Sequence, residues 1–200
     1  MSDIIDLLAG IAPGSALDAL RDARPQAREN AQKSFEALLE PADPGTFPLA
    51  ERYAVAAFAA RVHGFPAAAE FYSDLLADEA PALVDAVTEA ATTGATEGPA
   101  GDYREPDLAD ESAPVAPWAA SPDALGTRLA AALTHAHLLL VRPREARAEH
   151  LRLLVAAGWS ADDIVTLSQL VAFLAFQLRL AWGLRVVAEN PAPVTEGAGR

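Results

Sequence analysis

The feature that most constrains this fold is the way prolines divide the chain into segments of helical length. Within those segments apolar residues recur three and four positions apart, as on one face of an α-helix, for example at Ala31, Phe35 and Leu38. Proline is favoured in the first turn of a helix, so the segments are predicted to begin at or beside their prolines. The prolines in question are Pro25, Pro48, Pro66, Pro81, Pro122 and Pro143.

The composition favours the same fold class. Hydrophobic residues make up 52% of the 200 residues, with alanine as the main contributor, and aromatic residues only 6%. Alanine has the highest helix propensity, and the β-branched runs that mark strands are nearly absent. A chain of this length suits one domain. We therefore predict an all-α domain with closely packed helices.

Changes in composition suggest three regions. Residues 1–30 are predicted to form a helical extension of short helices, the first after a Ser2 cap, and residues 31–190 the main domain. Within that domain, residues 93–120 are rich in glycine, proline and acidic residues and are predicted to be a loosely structured insertion, anchored at its far end by Trp118. Residues 191–200 are predicted to be a disordered tail.

The last two helices carry most of the strongly apolar sequence. We expect a helix that begins at Pro143 to point Leu151, Leu154 and Val155 inward. The final helix, residues 161–188, is apolar around most of its circumference, which is typical of a helix buried in a core or in a subunit interface.

Charge and cysteine content exclude several classes of function. A net charge of −13 argues against binding to nucleic acid or to an anionic membrane surface. The N-terminus lacks the layout of a signal peptide, and the strongly apolar stretch Leu170–Phe176 is too short to span a bilayer, so a cytoplasmic location is expected. Without cysteine there is neither a disulfide nor a cysteine metal site. We predict no metal and no cofactor.

Two segments resemble a known superfamily. The first runs from Leu49-Ala50-Glu51-Arg52-Tyr53 through His63-Gly64-Phe65-Pro66 to Tyr72, and the second from Leu151 to Leu184. Together they are similar to the carboxymuconolactone decarboxylase and AhpD-like alkylhydroperoxidase superfamily, in particular to its peroxidase-related branch. The resemblance implies an AhpD-like helical bundle that is an obligate oligomer, namely a homodimer, homotrimer or homohexamer.

The resemblance also implies that the active site of the superfamily has been lost. Phe65 and Ala68 stand at the positions of the two reactive cysteines, Tyr72 at that of the histidine and Tyr53 at that of the proton-relay glutamate. A thiol peroxidase needs a thiolate nucleophile and a second thiol, which phenylalanine and alanine cannot supply. The function implied is that of a non-catalytic or regulatory subunit, with a Cys-bearing sibling protein as a conceivable partner.

Two other functions remain open at the level of sequence. One is an acid/base enzyme or small-molecule binder of the decarboxylase type, acting on a carboxylate or lactone through a pocket of His63, Tyr72, His137 and Arg179. The other is a purely structural oligomer.

Each candidate residue also has a structural interpretation. Tyr53 and Tyr72 could pack at a helix crossing, and His63 could stabilise a helix C-terminus. Arg179 lies in an apolar helix, so it needs a partner, either a ligand carboxylate or an acidic residue such as Glu51. His135 and His137 are two residues apart on one helix and should point in nearly opposite directions, so that one of them faces inward.

Overall fold

The computed structural model describes residues 3–96, 103–112 and 115–190, and these residues form helices and loops without any strand. The prediction of an all-α chain is thereby confirmed. The α-helices of this part of the chain are α1 (Ile4–Ala9), α2 (Ala16–Asp22), α3 (Pro25–Leu39), α4 (Leu49–Val62), α5 (Pro66–Glu79), α6 (Val84–Thr93), α7 (Pro122–Val141), α8 (Ala148–Ala156) and α9 (Ala161–Glu189). The predicted Ser2 cap and the predicted disordered tail lie outside the described residues.

Prolines mark the helix starts with two exceptions. Pro25 and Pro66 open α3 and α5, and Pro48 is the residue just before α4. Pro81 and Pro143 instead open single 3₁₀ turns, Pro81–Leu83 and Pro143–Glu145. The first turn runs directly into α6, whereas the chain after the second is extended, so α8 begins five residues later than predicted.

Helix α4 is the centre of the bundle. Every residue from Arg52 to Ala60 is buried, and α4 packs against α5, α6, α7 and α9. Five of these nine residues are alanine, whose small side chain lets neighbouring helices approach closely. The guanidinium of Arg52 is satisfied within this core by the carbonyls of Phe47 and Leu38, at 2.8 and 2.6 Å.

The N-terminal helices join the same core. Ile4, Ile5 and Leu8 of α1 belong to the hydrophobic cluster of the bundle, and α1 contacts α3, α5 and α9. The side chain that caps α1 is that of Asp3, which accepts from the backbone amides of Ile5 and Asp6. Arg21 of α2 and Arg28 of α3 both pair with Asp3 and Asp6, so ionic contacts tie these three helices together.

The described part of the acidic insertion is mainly loop. It contains one 3₁₀ turn, Pro106–Glu111, and its far end lies on the bundle. Trp118 stacks on Phe58 of α4 with 5.4 Å between ring centroids, and its indole N–H donates to Thr93 Oγ1. Residues 97–102 and 113–114 of the predicted insertion lie outside the described residues.

The prediction for α8 was wrong in part. Leu154 is buried, but Leu151 is 43% and Val155 60% exposed. The helix spans nine residues at the edge of the bundle and contacts α7 and α9. It therefore buries only a narrow stripe, and its outer apolar side chains meet solvent in the single chain.

Helix α7 is interrupted near its start. Gly126 has φ 73° and ψ 158°, which separates the first turn, capped by Ser121, from the long part of the helix. Such a backbone conformation is essentially restricted to glycine. The apolar periodicity of the sequence continues across this break and therefore did not predict it.

Two helices, α7 and α9, are long and apolar enough to cross a membrane by length and composition alone. About half of each apolar window is buried inside the bundle, 56% in α7 and 50% in α9, and core helices of soluble proteins can meet the same criterion. The stretch Leu170–Phe176, expected to be too short to span a bilayer, is part of a helix that runs for 29 residues.

Candidate functional site

The turn between α4 and α5 places the residues that the family resemblance singles out. Gly64 is left-handed, with φ 65°, and reverses the chain after His63. Phe65 is then the N-cap residue of α5, and Ala68 lies in the first turn of that helix. Phe65 is 2% exposed and Ala68 fully buried.

The C-terminal half of α9 covers this helix start. The Trp182 ring meets the Phe65 ring edge to face at 5.4 Å between centroids, and the Arg185 guanidinium lies 5.7 Å from the centre of the same ring. Hydrocarbon therefore fills the beginning of α5, and no nucleophile is present there.

Tyr72 lies deeper in the core and is fully buried. Its hydroxyl donates to Oε1 of Gln177 in α9. Burial raises the pKa of Tyr72 far above its ordinary value, so the phenol stays protonated and cannot act as a base at neutral pH. The amide nitrogen of Gln177 is buried as well and has no hydrogen-bond partner among the described residues.

The rings of Tyr53 and Tyr72 do not contact each other among the described residues. The aromatic ring that contacts Tyr72 in the described structure is that of Phe71, with 5.1 Å between centroids. Tyr53 is buried on α4, and this burial raises the pKa of its hydroxyl.

The other candidate pocket residues are spread over the bundle. His63 is half-buried at the end of α4 and donates from Nδ1 to the Ala59 carbonyl at 2.9 Å. His137 donates from Nε2 to the Gly94 carbonyl at 2.9 Å, and its ring lies 4.8 Å from that of Trp118. Arg179 is exposed on α9, close enough to His63 for its charge to add to the effect of burial, which lowers the pKa of that histidine. Tyr72 lies inside the core, and His137 lines a cavity beside Trp118 and Gly94.

The partner of Glu51 is Arg128 rather than Arg179. Arg128 Nε donates to Glu51 Oε1 at 3.0 Å, and its other nitrogens donate to the carbonyls of Thr46 and Gly158, each at 2.8 Å. The guanidinium also lies 4.0 Å from the centre of the Trp159 ring. These contacts join α4 and α7 to the loops that precede α4 and α9. The partners are far apart in sequence, so no local pattern could reveal them.

A groove between α7 and α8 was not anticipated. Its volume is about 550 Å³ and its wall is mainly apolar. It is lined by Pro117, Trp118, Ala119, Ala120, Pro122, Thr127, Ala130, Ala131, Thr134, His135, Leu138, Arg142, His150, Leu153, Ala156 and Ala157.

Two polar groups of this groove have an unusual environment, and the first of them is His135. His135 is only 5% exposed, and His137 is buried as well. Both can be buried because α7 packs against neighbouring helices on more than one side. Its Nε2 lies 3.1 Å from Ser168 Oγ, and the Ser168 hydroxyl donates to the Ile164 carbonyl. The serine oxygen therefore accepts from Nε2, which leaves Nδ1 as an unprotonated acceptor.

The unprotonated nitrogen of His135 has no partner. Nδ1 is buried without a hydrogen bond among the described residues. Burial, together with the neighbouring His150, lowers the pKa of His135 to about 4. The ring is therefore neutral at physiological pH.

Arg142 is the second such group. It is 6% exposed and follows the last residue of α7. One terminal nitrogen donates to the Val115 carbonyl at 3.3 Å and pairs at 2.9 Å with Glu145, whose side chain is half exposed. Its Nε is buried without a partner among the described residues.

Comparison of this chain with protein-family models, with curated proteins and with solved structures found no match. The family resemblance thus rests on the residues quoted above. In the described residues no group of three or more histidine or acidic side chains is arranged to hold a metal ion.

Proposed function

We propose that this protein is a thiol-free member of the AhpD-like superfamily that acts as a non-catalytic subunit of an oligomer. The observation that carries the proposal is the filling of the α5 helix start by Phe65 and Ala68. The resemblance assigns the reactive cysteines to these two positions, which are the N-cap and the third residue of a helix.

The location of the two positions supports the proposal on physical grounds. A helix N-terminus lowers the pKa of a cysteine because its free amides and dipole stabilise the thiolate. Residues three apart in one helical turn also lie close enough for a disulfide. The start of α5 thus offers a position and a spacing that a reactive thiol pair could use, but it holds hydrocarbon, and Tyr72 is fixed by Gln177.

The decarboxylase-type alternative has less support. It requires His63, Tyr72, His137 and Arg179 to meet around one substrate. Arg179 acts electrostatically on His63, but His137 is bound to the Gly94 carbonyl and Tyr72 is closed off from solvent.

The proposal is tested by putting the thiols back. We expect the double substitution Phe65→Cys and Ala68→Cys to create a pair that oxidises readily to an intramolecular disulfide, with one thiol of lowered pKa. The unaltered chain should show no turnover of organic hydroperoxide in the presence of a dithiol reductant. The measurements are the pH dependence of thiol alkylation and the redox equilibrium with glutathione.

The matched control is Glu70→Cys with Ser73→Cys, the same spacing in the middle of α5. Its thiols lack a helix N-terminus and should titrate near 8.5. Equal reactivity of the two pairs would remove the basis for a former thiol site, and peroxide turnover by the cysteine-free chain would refute the loss of catalysis directly.

A further inference from the structure

The groove between α7 and α8 differs in charge from the rest of the molecule. The chain carries 28 acidic and 15 basic residues. Among the described residues lining the groove there is one arginine and there are two histidines, but no aspartate or glutamate. The lining therefore favours an anion, and the carboxylate that pairs with the arginine, that of Glu145 at 2.9 Å, is half exposed and lies outside the lining.

Two residues of this wall each carry a buried side-chain atom that has no partner among the described residues. His135 Nδ1 is the acceptor that lacks a donor, and Arg142 Nε–H is the donor that lacks an acceptor. Leaving such groups unpaired in a buried position costs free energy that a ligand could recover. Both side chains are more than nine-tenths buried, and both line the groove.

The spacing of the two groups sets the form of a ligand. His135 and Arg142 are seven residues apart, two helical turns, so their Cα atoms are separated by roughly 10 Å along α7. The wall around them is supplied by alanines, Leu138, Leu153 and Trp118. This wall can accommodate the hydrocarbon part of a ligand.

From these observations we propose that the groove binds a small, mainly apolar carboxylate that carries a hydroxyl group several bonds from the carboxylate. Both atoms are shielded from solvent in the unliganded chain, so the two side chains turn toward the groove on binding. The carboxylate then accepts from Arg142 Nε, the hydroxyl donates to His135 Nδ1, and the hydrocarbon between them packs on the alanine-rich wall. This site is separate from the α5 helix start and does not depend on the family to which the chain belongs.

Three eight-carbon probes separate the contributions. They are 8-hydroxyoctanoate, octanoate without the hydroxyl, and 1,8-octanediol without the carboxylate. We expect saturable binding of the full chain to 8-hydroxyoctanoate by isothermal titration calorimetry, with weaker binding of the other two. Loss of a hydrogen bond to a charged group weakens binding by about tenfold or more.

Substitutions assign the two ends of the ligand. Arg142→Gln should weaken binding of both carboxylates by at least about tenfold and leave the diol unchanged. His135→Leu should abolish the preference for 8-hydroxyoctanoate over octanoate. Arg152→Gln is the matched control, because Arg152 is exposed on α8 outside the groove and its loss changes the net charge equally.

A third substitution keeps the test valid if a buried variant fails to fold. Ala156→Phe fills the groove from its exposed α8 wall without altering charge, and it should abolish binding of all three probes while thermal unfolding stays cooperative. The proposal is overturned if 8-hydroxyoctanoate shows no saturable binding, if Arg142→Gln and Arg152→Gln behave alike, or if Ala156→Phe binds as the unaltered chain does.

Discussion

At the scale of single residues, His135 makes the stability of this protein depend on pH. Its folded-state pKa of about 4 lies below the ordinary value of 6.5. Between these values the unfolded chain binds a proton that the folded chain does not, so the free energy of unfolding decreases as pH falls. His63 and His137, whose pKa values burial also lowers, act in the same direction.

We expect the unaltered protein to be less stable at pH 5 than at pH 7.5, and His135→Leu to reduce that difference, by at most about 2 kcal/mol. Urea unfolding at the two pH values measures it. The lowered pKa values of Asp3 and Asp163 do not interfere, because their contribution is lost only below the ordinary aspartate pKa near 3.8. An unchanged pH dependence in the variant would contradict a buried neutral histidine.

Residues that act through local geometry were accessible from the sequence, whereas those that act through distant partners were not. The left-handed Gly64 and the Ser160 cap of α9 follow from short patterns. Arg128 is held by Glu51, 77 positions away, and nothing near either residue indicates the other. The groove could not be predicted for the same reason, because it forms only where His135 is brought together with Ser168 and α8.

At the scale of helices, Gly126 sets the shape of α7. Its backbone has φ 73° and ψ 158°, a region open only to glycine. Gly183, by contrast, lies within α9, and an added Cβ there would meet no atom within 4 Å. Substitution by alanine is therefore expected to have opposite effects on stability at the two glycines.

Gly126→Ala should destabilise the protein by about 2 kcal/mol because alanine is strained in this conformation. Gly183→Ala should stabilise it by up to about 1 kcal/mol, since alanine has the higher helix propensity. Denaturant midpoints at constant slope measure both. If both substitutions stabilised the chain, α7 would be a continuous helix as its apolar periodicity suggested.

The helices themselves were predictable because proline and apolar spacing act within a few residues. The burial of each helix was less predictable, since it depends on which neighbouring element packs against each of its faces. The stripe of Leu151, Leu154 and Val155 has the spacing of a buried face, yet α8 sits at the edge and buries only Leu154. Periodicity identifies an apolar face without showing what covers it.

At the scale of the whole molecule, much of the outer face of α9 is apolar in the single chain. Phe176 and Val187 are each 50% exposed and share this face with the exposed Ala172 and Gly183, whereas Trp182, 49% exposed, lies about 120° away around the helix and Arg179 is an exposed charge beside the face. An exposed apolar stripe of this kind is typical of an interface with another protein or of a membrane-facing surface. The proposed oligomer assigns it to contacts between copies of this chain.

The substitution Phe176→Glu tests that assignment, because it places a charge in the middle of the face and would bury it without a partner on association. We expect the assembly to dissociate at concentrations at which the unaltered chain stays associated, with helix content unchanged by circular dichroism. Sedimentation velocity across a dilution series gives the measurement. Leu20→Glu adds the same charge at an exposed apolar residue of α2, a helix that packs mainly on α3, and should leave the association intact. A monomeric unaltered chain at all concentrations would mean that the face is covered by something other than a second copy.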